Sequence, residues 1–144
     1  MGLFGFLNKL IDHQPAKTYE KHREIMAVPV DVEGPGTFSF EVVGESRYQN
    51  RFWAQLPSHI SQLAEVRCYV VADLEPESDN PKDKNAVVVR LGPSPVGHIP
   101  RADAPAYRKW LAKNGGIRRR CCRAQIVKRN GGYGIWLDLP IENK

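Results

Sequence analysis

The chain has 144 residues, the usual length of one domain, and its 42% hydrophobic content is enough for a packed core. This composition argues against wholesale disorder, and no apolar run approaches the roughly 20 residues that span a bilayer. The net charge of +5 is uneven, because residues 101–129 carry ten basic residues and one acidic residue, which leaves −4 for the rest. A one-sided basic stretch favours a polyanionic partner, although a charge run alone is more often a solvated surface.

Residues 1–13 form a short amphipathic segment, in which four apolar residues share one helical face: Phe4, Leu7, Leu10 and Ile11. The segment has neither the charged start nor the long apolar stretch of a secretory signal, so we expect none. Residues 14–36 are mixed and polar, with two prolines and Gly34-Pro35-Gly36, which predicts a partly extended linker.

The period of the hydrophobic pattern changes to two at Thr37, which is typical of strands. Alternation and turn residues together predict helices over 48–56 and 104–113 and strands over 37–43, 64–74, 85–91, 96–99, 119–128 and 132–139. Six short strands with two or three helices predict a mainly β protein, a small and strongly bent β-barrel with flanking helices. Closing the barrel removes the exposed edges of so small a sheet.

The three cysteines are an odd number, and Cys121 and Cys122 are adjacent. Neighbouring residues of a strand point to opposite faces, so this pair would form neither a routine disulfide nor a zinc site. We therefore expect reduced thiols, at least one of them in the core, in a cytoplasmic protein.

Three polar segments are candidates for binding. Residues 79–86 form a polar loop that enters a run of valines, and short Asp and Asn side chains there also explain a tight turn. The spacing does not match a calcium loop. Residues 96–101 place Gly97, His98 and Arg101 at the end of a short strand, where a lone histidine is by default a structural one. Residues 43–50 read as a turn with an exposed Arg and Tyr.

Taken together, these segments resemble the HIRAN domain, which occurs in some DNA-repair translocases and as stand-alone proteins. The matching pieces are Val43-Gly44 with Tyr48, Asp79-Asn80-Pro81 with Asp83 and Asn85-Ala86-Val87, and Val96-Gly97-His98-Ile99-Pro100-Arg101. They occur in the family's order and near its spacing. The resemblance implies an OB-like β-barrel over residues 37–140, followed by a tail over 141–144.

The resemblance also implies a pocket for the 3′-hydroxyl end of single-stranded DNA. In this sequence Asp83 would bind the hydroxyl, Asn80 the base or sugar, and His98 and Arg101 the phosphates, while Tyr48 matches one stacking aromatic. Lys82 and Arg47 stand where DNA-binding members carry aromatic residues, so we expect Arg47 to stack its guanidinium and Lys82 to meet a phosphate. Three further arginines are expected to add sequence-independent affinity: Arg118, Arg120 and Arg123.

The sequence thus predicts a nucleic-acid-binding module for single-stranded DNA ends in DNA repair or replication. Its expected partners are single-stranded DNA, or another nucleic acid, and a larger repair or translocase machine. The alternative is an adaptor that is recruited through the apolar face of residues 1–13. A metal-dependent nuclease using Asp79, Asp83 and His98 is less supported, because two-metal sites need more converging ligands. We expect no catalytic residue, metal or cofactor.

Overall fold

The structure of the protein is a computed structural model. It describes residues 16–44, 48–130 and 132–142, and for residues 51–53 it describes the backbone alone. The described strands form one antiparallel sheet in the order β1-β6-β5-β2-β3-β4. They are β1 Phe40–Glu41, β2 Val66–Pro76, β3 Val87–Leu91, β4 Ser94–His98, β5 Arg120–Arg129 and β6 Gly132–Leu137. The helices are α1 His22–Met26, α2 Gln49–Gln55, α3 Ser58–Ser61 and α4 Ala104–Lys113.

The centre of the sheet is the long pair β2 and β5. They pair from Val66 opposite Lys128 to Leu74 opposite Arg120, and their buried residues alternate with partly exposed ones along most of both strands. One side of the sheet lines the core, where Val70, Leu74 and Ile126 are fully buried. The period-two pattern of the sequence therefore marks the inward face, and the mainly β prediction is confirmed.

The two ends of the sheet approach each other where β1 ends. Val43 and His98 form an isolated antiparallel bridge, and each backbone N–H donates to the other's carbonyl at 2.9 Å. Gly97 makes this approach possible, since a Cβ on it would lie 2.6 Å from the carbonyl oxygen of Val43, at a φ of +153°. The sheet is thus a curled half-barrel, consistent with the small OB-like barrel that the sequence predicts.

Strand β1 is much shorter than the predicted strand over 37–43. The carboxylate of Asp138 accepts hydrogen bonds from the backbone N–H groups of Gly36 and Thr37, at 2.9 and 3.2 Å. Phe38 has a φ of +48°, which is a turn conformation rather than an extended one. The chain therefore turns around a carboxylate that lies a hundred residues later in the sequence, and no local pattern indicates that contact.

The described part of the predicted linker, residues 16–36, is packed on the outer side of the sheet. Tyr19 bridges Tyr69 of β2, Val32 bridges Cys122 of β5, and Ile25 of α1 is fully buried. This segment differs from an extended linker because Ile25 packs with Phe38 and Tyr69 on the outer side, while Val32 is buried in the main core. The predicted amphipathic segment over residues 1–13 lies outside the described residues.

Helix α4 has the bounds that the sequence predicts, and it buries Ala104, Tyr107 and Leu111. Asp103 is at the N-cap position but makes no side-chain capping bond. The helix ends at the glycine pair, where the N–H of Gly116 donates to the carbonyl of Leu111 at 2.8 Å. None of the described helices is long and apolar enough to cross a membrane.

Candidate nucleic-acid interface

An open cleft of about 270 Å³ lies where β1 meets β4. Its walls come from the segment that follows β1, the 77–86 loop between β2 and β3, and the end of β4 with the residues after it. The lining residues are Val43, Gly44, Asn80, Lys82, Asp83, Ala86, His98, Ile99 and Arg101. The fold therefore brings together five of the predicted site residues, from the second and third polar segments, with Val43 and Gly44 of the first segment beside them.

The 77–86 loop is shaped by its own side chains. Oδ1 of Asn80 accepts hydrogen bonds from the N–H groups of Lys82 and Asp83, at 2.9 and 3.1 Å. Oδ1 of Asp83 accepts the N–H of Asn85 at 2.9 Å. Short Asn and Asp side chains form such turns readily, so the turn explanation of this motif is correct for the one side-chain oxygen of Asn80 and for Oδ1 of Asp83.

The second oxygen of Asp83 is not used in this turn, and Asp83 lines the cleft. The side chain of Asp83 is 20% exposed, and its Oδ2 lies 3.6 Å from Nε of Arg101. Arg101 is 73% exposed, and one of its terminal nitrogens donates to the carbonyl of Lys82 at 2.8 Å. The cleft therefore places one carboxylate oxygen beside an arginine that solvent reaches, with Lys82 on the same loop.

His98 connects the cleft to the base of the same loop. Its Nε2 lies 2.9 Å from Oε1 of Glu77, and both side chains are about one-third exposed. The backbone of His98 meanwhile forms the bridge with Val43. The imidazole is thus held in place by a carboxylate at the start of the loop and by the sheet closure.

Arg108 of α4 holds the two ends of the 77–86 loop together. Its guanidinium donates to the carbonyls of Glu77 at 2.7 Å, Asn85 at 2.9 Å and Ala86 at 3.0 Å. Sequence reasoning counted Arg108 only as one charge of the basic stretch. Its partners are backbone carbonyls more than 20 residues away, and carbonyls leave no signal in a sequence.

The thiols contribute nothing to this cleft. Cys68 and Cys122 are buried, Cys121 is partly buried, and all three are free. Burial, followed by the charge of Glu20, raises the pKa of the Cys68 thiol to about 11. Burial also raises the pKa values of Cys121 and Cys122, so these thiols are protonated near neutral pH. Among the described residues, no three His, Cys, Asp or Glu side chains are grouped to hold a metal ion.

A family model of the HIRAN domain matches residues 35–141. The chain belongs to the HIRAN domain family. HIRAN domains are nucleic-acid-binding modules, and the match covers every element that forms the cleft. Comparison with curated proteins and with solved structures found no match.

The match begins after α1, so the packed residues 16–34 lie outside the HIRAN model. They cover part of the outer face of β2, β5 and β6, where Ile25 packs with Phe38 and Tyr69. In this chain the HIRAN sheet therefore carries an additional segment on its outer side.

Two arginines that were expected at the DNA surface of the HIRAN domain are internal. Arg120 is 5% exposed and donates to the carbonyls of Asn114 and Gly116, both at 2.8 Å. Arg123 is 3% exposed, and its guanidinium donates to the carbonyls of Ile25 and Val28. Both guanidinium groups satisfy backbone carbonyls at the ends of helices, which corrects the expectation that they meet a ligand.

The remaining expected residues of the HIRAN site lie elsewhere. Arg118 is exposed on the turn after α4 but does not line the cleft, and Tyr48 is half-buried at the start of α2 and does not line it either. Arg47 lies outside the described residues. The cleft is thus defined by the second and third motifs and by Val43 and Gly44 of the first.

Proposed function

We propose that this HIRAN domain binds the 3′-hydroxyl end of single-stranded DNA in the cleft. In this proposal it acts in DNA repair or replication, as part of a larger repair or translocase machine. The observation that carries the proposal is the position of Asp83. One of its carboxylate oxygens accepts a hydrogen bond within the loop, and the other lies 3.6 Å from Nε of Arg101, which lines the same cleft.

A carboxylate suits a terminal hydroxyl because it only accepts hydrogen bonds. A 3′-phosphate has no comparable donor and carries negative charge, so Asp83 would repel it. The two cations at the rim, Lys82 and Arg101, suit the phosphate that precedes the last nucleotide. The cleft therefore combines acceptance of a hydroxyl with attraction for the backbone behind it.

Base contacts in this cleft are weaker than those of an aromatic pocket. The neighbouring wall is apolar. Val43 is 46% exposed, and a Cβ added to Gly44 would meet no heavy atom within 4 Å. Lys82 offers no ring for stacking. Asn80 still carries two amide donors on Nδ2, which suit a base or sugar oxygen. The proposed site consequently holds phosphate and the terminal hydroxyl more firmly than the base.

The test compares oligothymidylates that end in a 3′-hydroxyl or a 3′-phosphate and a circular form without an end, at several salt concentrations. We expect the 3′-hydroxyl form to bind roughly tenfold more tightly, about 1.4 kcal/mol, which is a usual value for a hydrogen bond to a charged group. Asp83→Asn keeps an oxygen for the Asn85 turn but removes the charge, so it should abolish the preference.

Asp79→Asn is the matched control, since Asp79 is exposed on the same loop and does not line the cleft. It should retain the preference for the 3′-hydroxyl. Equal affinity of the unmodified protein for all three ligands would refute end recognition. Absence of binding to any of them would refute single-stranded DNA as the ligand.

A further inference from the structure

The outer face of the sheet carries a second open depression beside the cleft. It has a volume of about 520 Å³ and is called here the outer groove. The side chains that define it are Glu41, Arg67, Gln125, Val127, Arg129 and Trp136. All six are exposed or half-buried, whereas their neighbours along the strands, such as Phe40, Ile126 and Ile135, point into the core. The outer groove is therefore the solvent side of the sheet that forms the barrel.

The strand register makes the outer groove continuous with the cleft. Glu41 lies opposite Trp136, and the N–H of Val42 donates to the carbonyl of Ile135 at 2.9 Å. One step further, Val43 at the wall of the cleft is level with Gly134 at the floor of the groove. Residues opposite each other across a sheet share a face, so the surface runs without a change of side from the cleft into the groove.

The cross-strand neighbours that begin at Val43, in the wall of the cleft, end at an arginine. Gly134 lies opposite Val127, and Val127 lies opposite Arg67 on β2. Three strand spacings separate Val43 from Arg67, which is about 14 Å. Arg129 lies two pairs further along, opposite Gly132, and so on the same face as Val127. A polymer that emerges from the cleft would therefore cross β6 and β5 and meet two exposed arginines.

The floor of the outer groove is low because two of its positions are glycine. A Cβ added to Gly134 or Gly132 would meet no heavy atom closer than 3.9 Å, so larger residues would fit without strain. The space is consequently left open by the sequence and is not forced by packing. Trp136 forms one wall, since its ring packs in part against the cluster of Ile25, Phe38 and Tyr69.

We propose that the outer groove binds the nucleotides that precede the strand end held in the cleft, an inference that rests on the proposed function. Bases stack on the partly buried ring of Trp136, and phosphates bind Arg67 and Arg129. Stacking on an aromatic ring tolerates every base, and arginine suits phosphate oxygens. Glu41 lies beside Trp136 on the side away from the arginines, which orients the backbone of the strand towards Arg67 and Arg129.

The test uses two ligands with a 3′-hydroxyl, a thymidine dinucleotide that fills only the cleft and an oligothymidylate of about eight nucleotides, within the site sizes of single OB folds. The longer ligand should bind at least tenfold more tightly. Gly134→Val fills the groove and should reduce the affinity of the longer ligand to nearly that of the dinucleotide, whose own binding should change less than about twofold.

Three further variants test the proposed contacts. Trp136→Ala should weaken the longer ligand roughly tenfold, and Arg67→Ala should lower the slope of log K against log salt by about 0.7. Glu41→Gln should strengthen the longer ligand at low salt, because a like charge near its phosphates is removed. Ala112→Val, on the exposed side of α4, is the control for added bulk.

Outcomes separate this inference from the proposed function. Suppose that Asp83→Asn loses the preference for the 3′-hydroxyl, while Gly134→Val binds the longer ligand as the unmodified protein does. This result would refute binding in the outer groove and would support binding in the cleft. Equal weakening of both ligands by Gly134→Val, in protein that unfolds at the unmodified temperature, would also refute the groove. Failure of the dinucleotide to bind would refute the cleft, and with it the continuous path.

Discussion

The 77–86 loop and the basic stretch over residues 101–129 are both rich in charged and polar side chains. The fold places the side chains of the two segments differently. In the loop, Asn80 and Asp83 each use Oδ1 for a local turn, and both residues line the cleft. In the basic stretch, Arg120, Arg123 and Lys128 are buried and donate to backbone carbonyls. The contrast shows that a charged side chain is available to a ligand only where the fold leaves it at the surface.

Arg123→Ala tests this comparison with the largest expected effect, which is a loss of stability. The substitution leaves the buried carbonyls of Ile25 and Val28 without their donor, and each unsatisfied group costs about 1–3 kcal/mol. We expect the free energy of unfolding to fall by about 3 kcal/mol, measured by urea denaturation. Arg118→Ala is the control, since Arg118 is exposed, and it should change stability by less than about 0.5 kcal/mol. Similar effects of the two variants would contradict the internal role of Arg123.

An intermediate effect is expected from Arg108→Lys, which tests whether the cleft depends on the clamp across the ends of the loop. Lysine keeps the charge but cannot reach three carbonyls as the guanidinium does. We expect a loss of about 2 kcal/mol in stability and faster amide hydrogen exchange in residues 77–86.

Binding of the 3′-hydroxyl oligonucleotide should also weaken in Arg108→Lys, although Arg108 does not line the cleft. Lys109→Arg, at the exposed neighbouring position, is the control for changing the type of cation on α4. Hydrogen exchange and affinity that match those of the unmodified protein would show that the loop keeps its shape without the clamp.

The smallest effect is expected from Arg101→Ala, which removes a cation that is mostly in solvent. Its ion pair with Asp83 is worth little to stability, because 73% of the arginine side chain is exposed. The free energy of unfolding should therefore change by less than about 0.5 kcal/mol. The slope of log K against log salt for binding of single-stranded DNA should fall by about 0.7. An unchanged slope would remove Arg101 from the proposed phosphate contacts.

Much of the sheet could be predicted from the sequence. The strands over 64–74 and 119–128 and the helix over 104–113 agree with the structure to within two residues at each end, because long alternation and a glycine stop depend on nearby residues. The short strand β1 could not be predicted, because Asp138 sets the turn before it from across the sheet. The packing of residues 16–36 was missed for the same reason, since Ile25 packs with Tyr69, which is distant in sequence.

The sequence by itself determined the family, the alternation of the long strands and the turn chemistry of residues 79–86, because each depends on residue types at fixed short spacings. Only the tertiary structure decided which charges remain for a ligand. Arg101 and Arg123 are equivalent in a charge count, but one lies at an open cleft and the other donates to Ile25 and Val28 from 95 or more residues away. Hydrogen bonds to backbone carbonyls carry no side-chain signature, so burial of a cation is determined by the fold and cannot be read from charge.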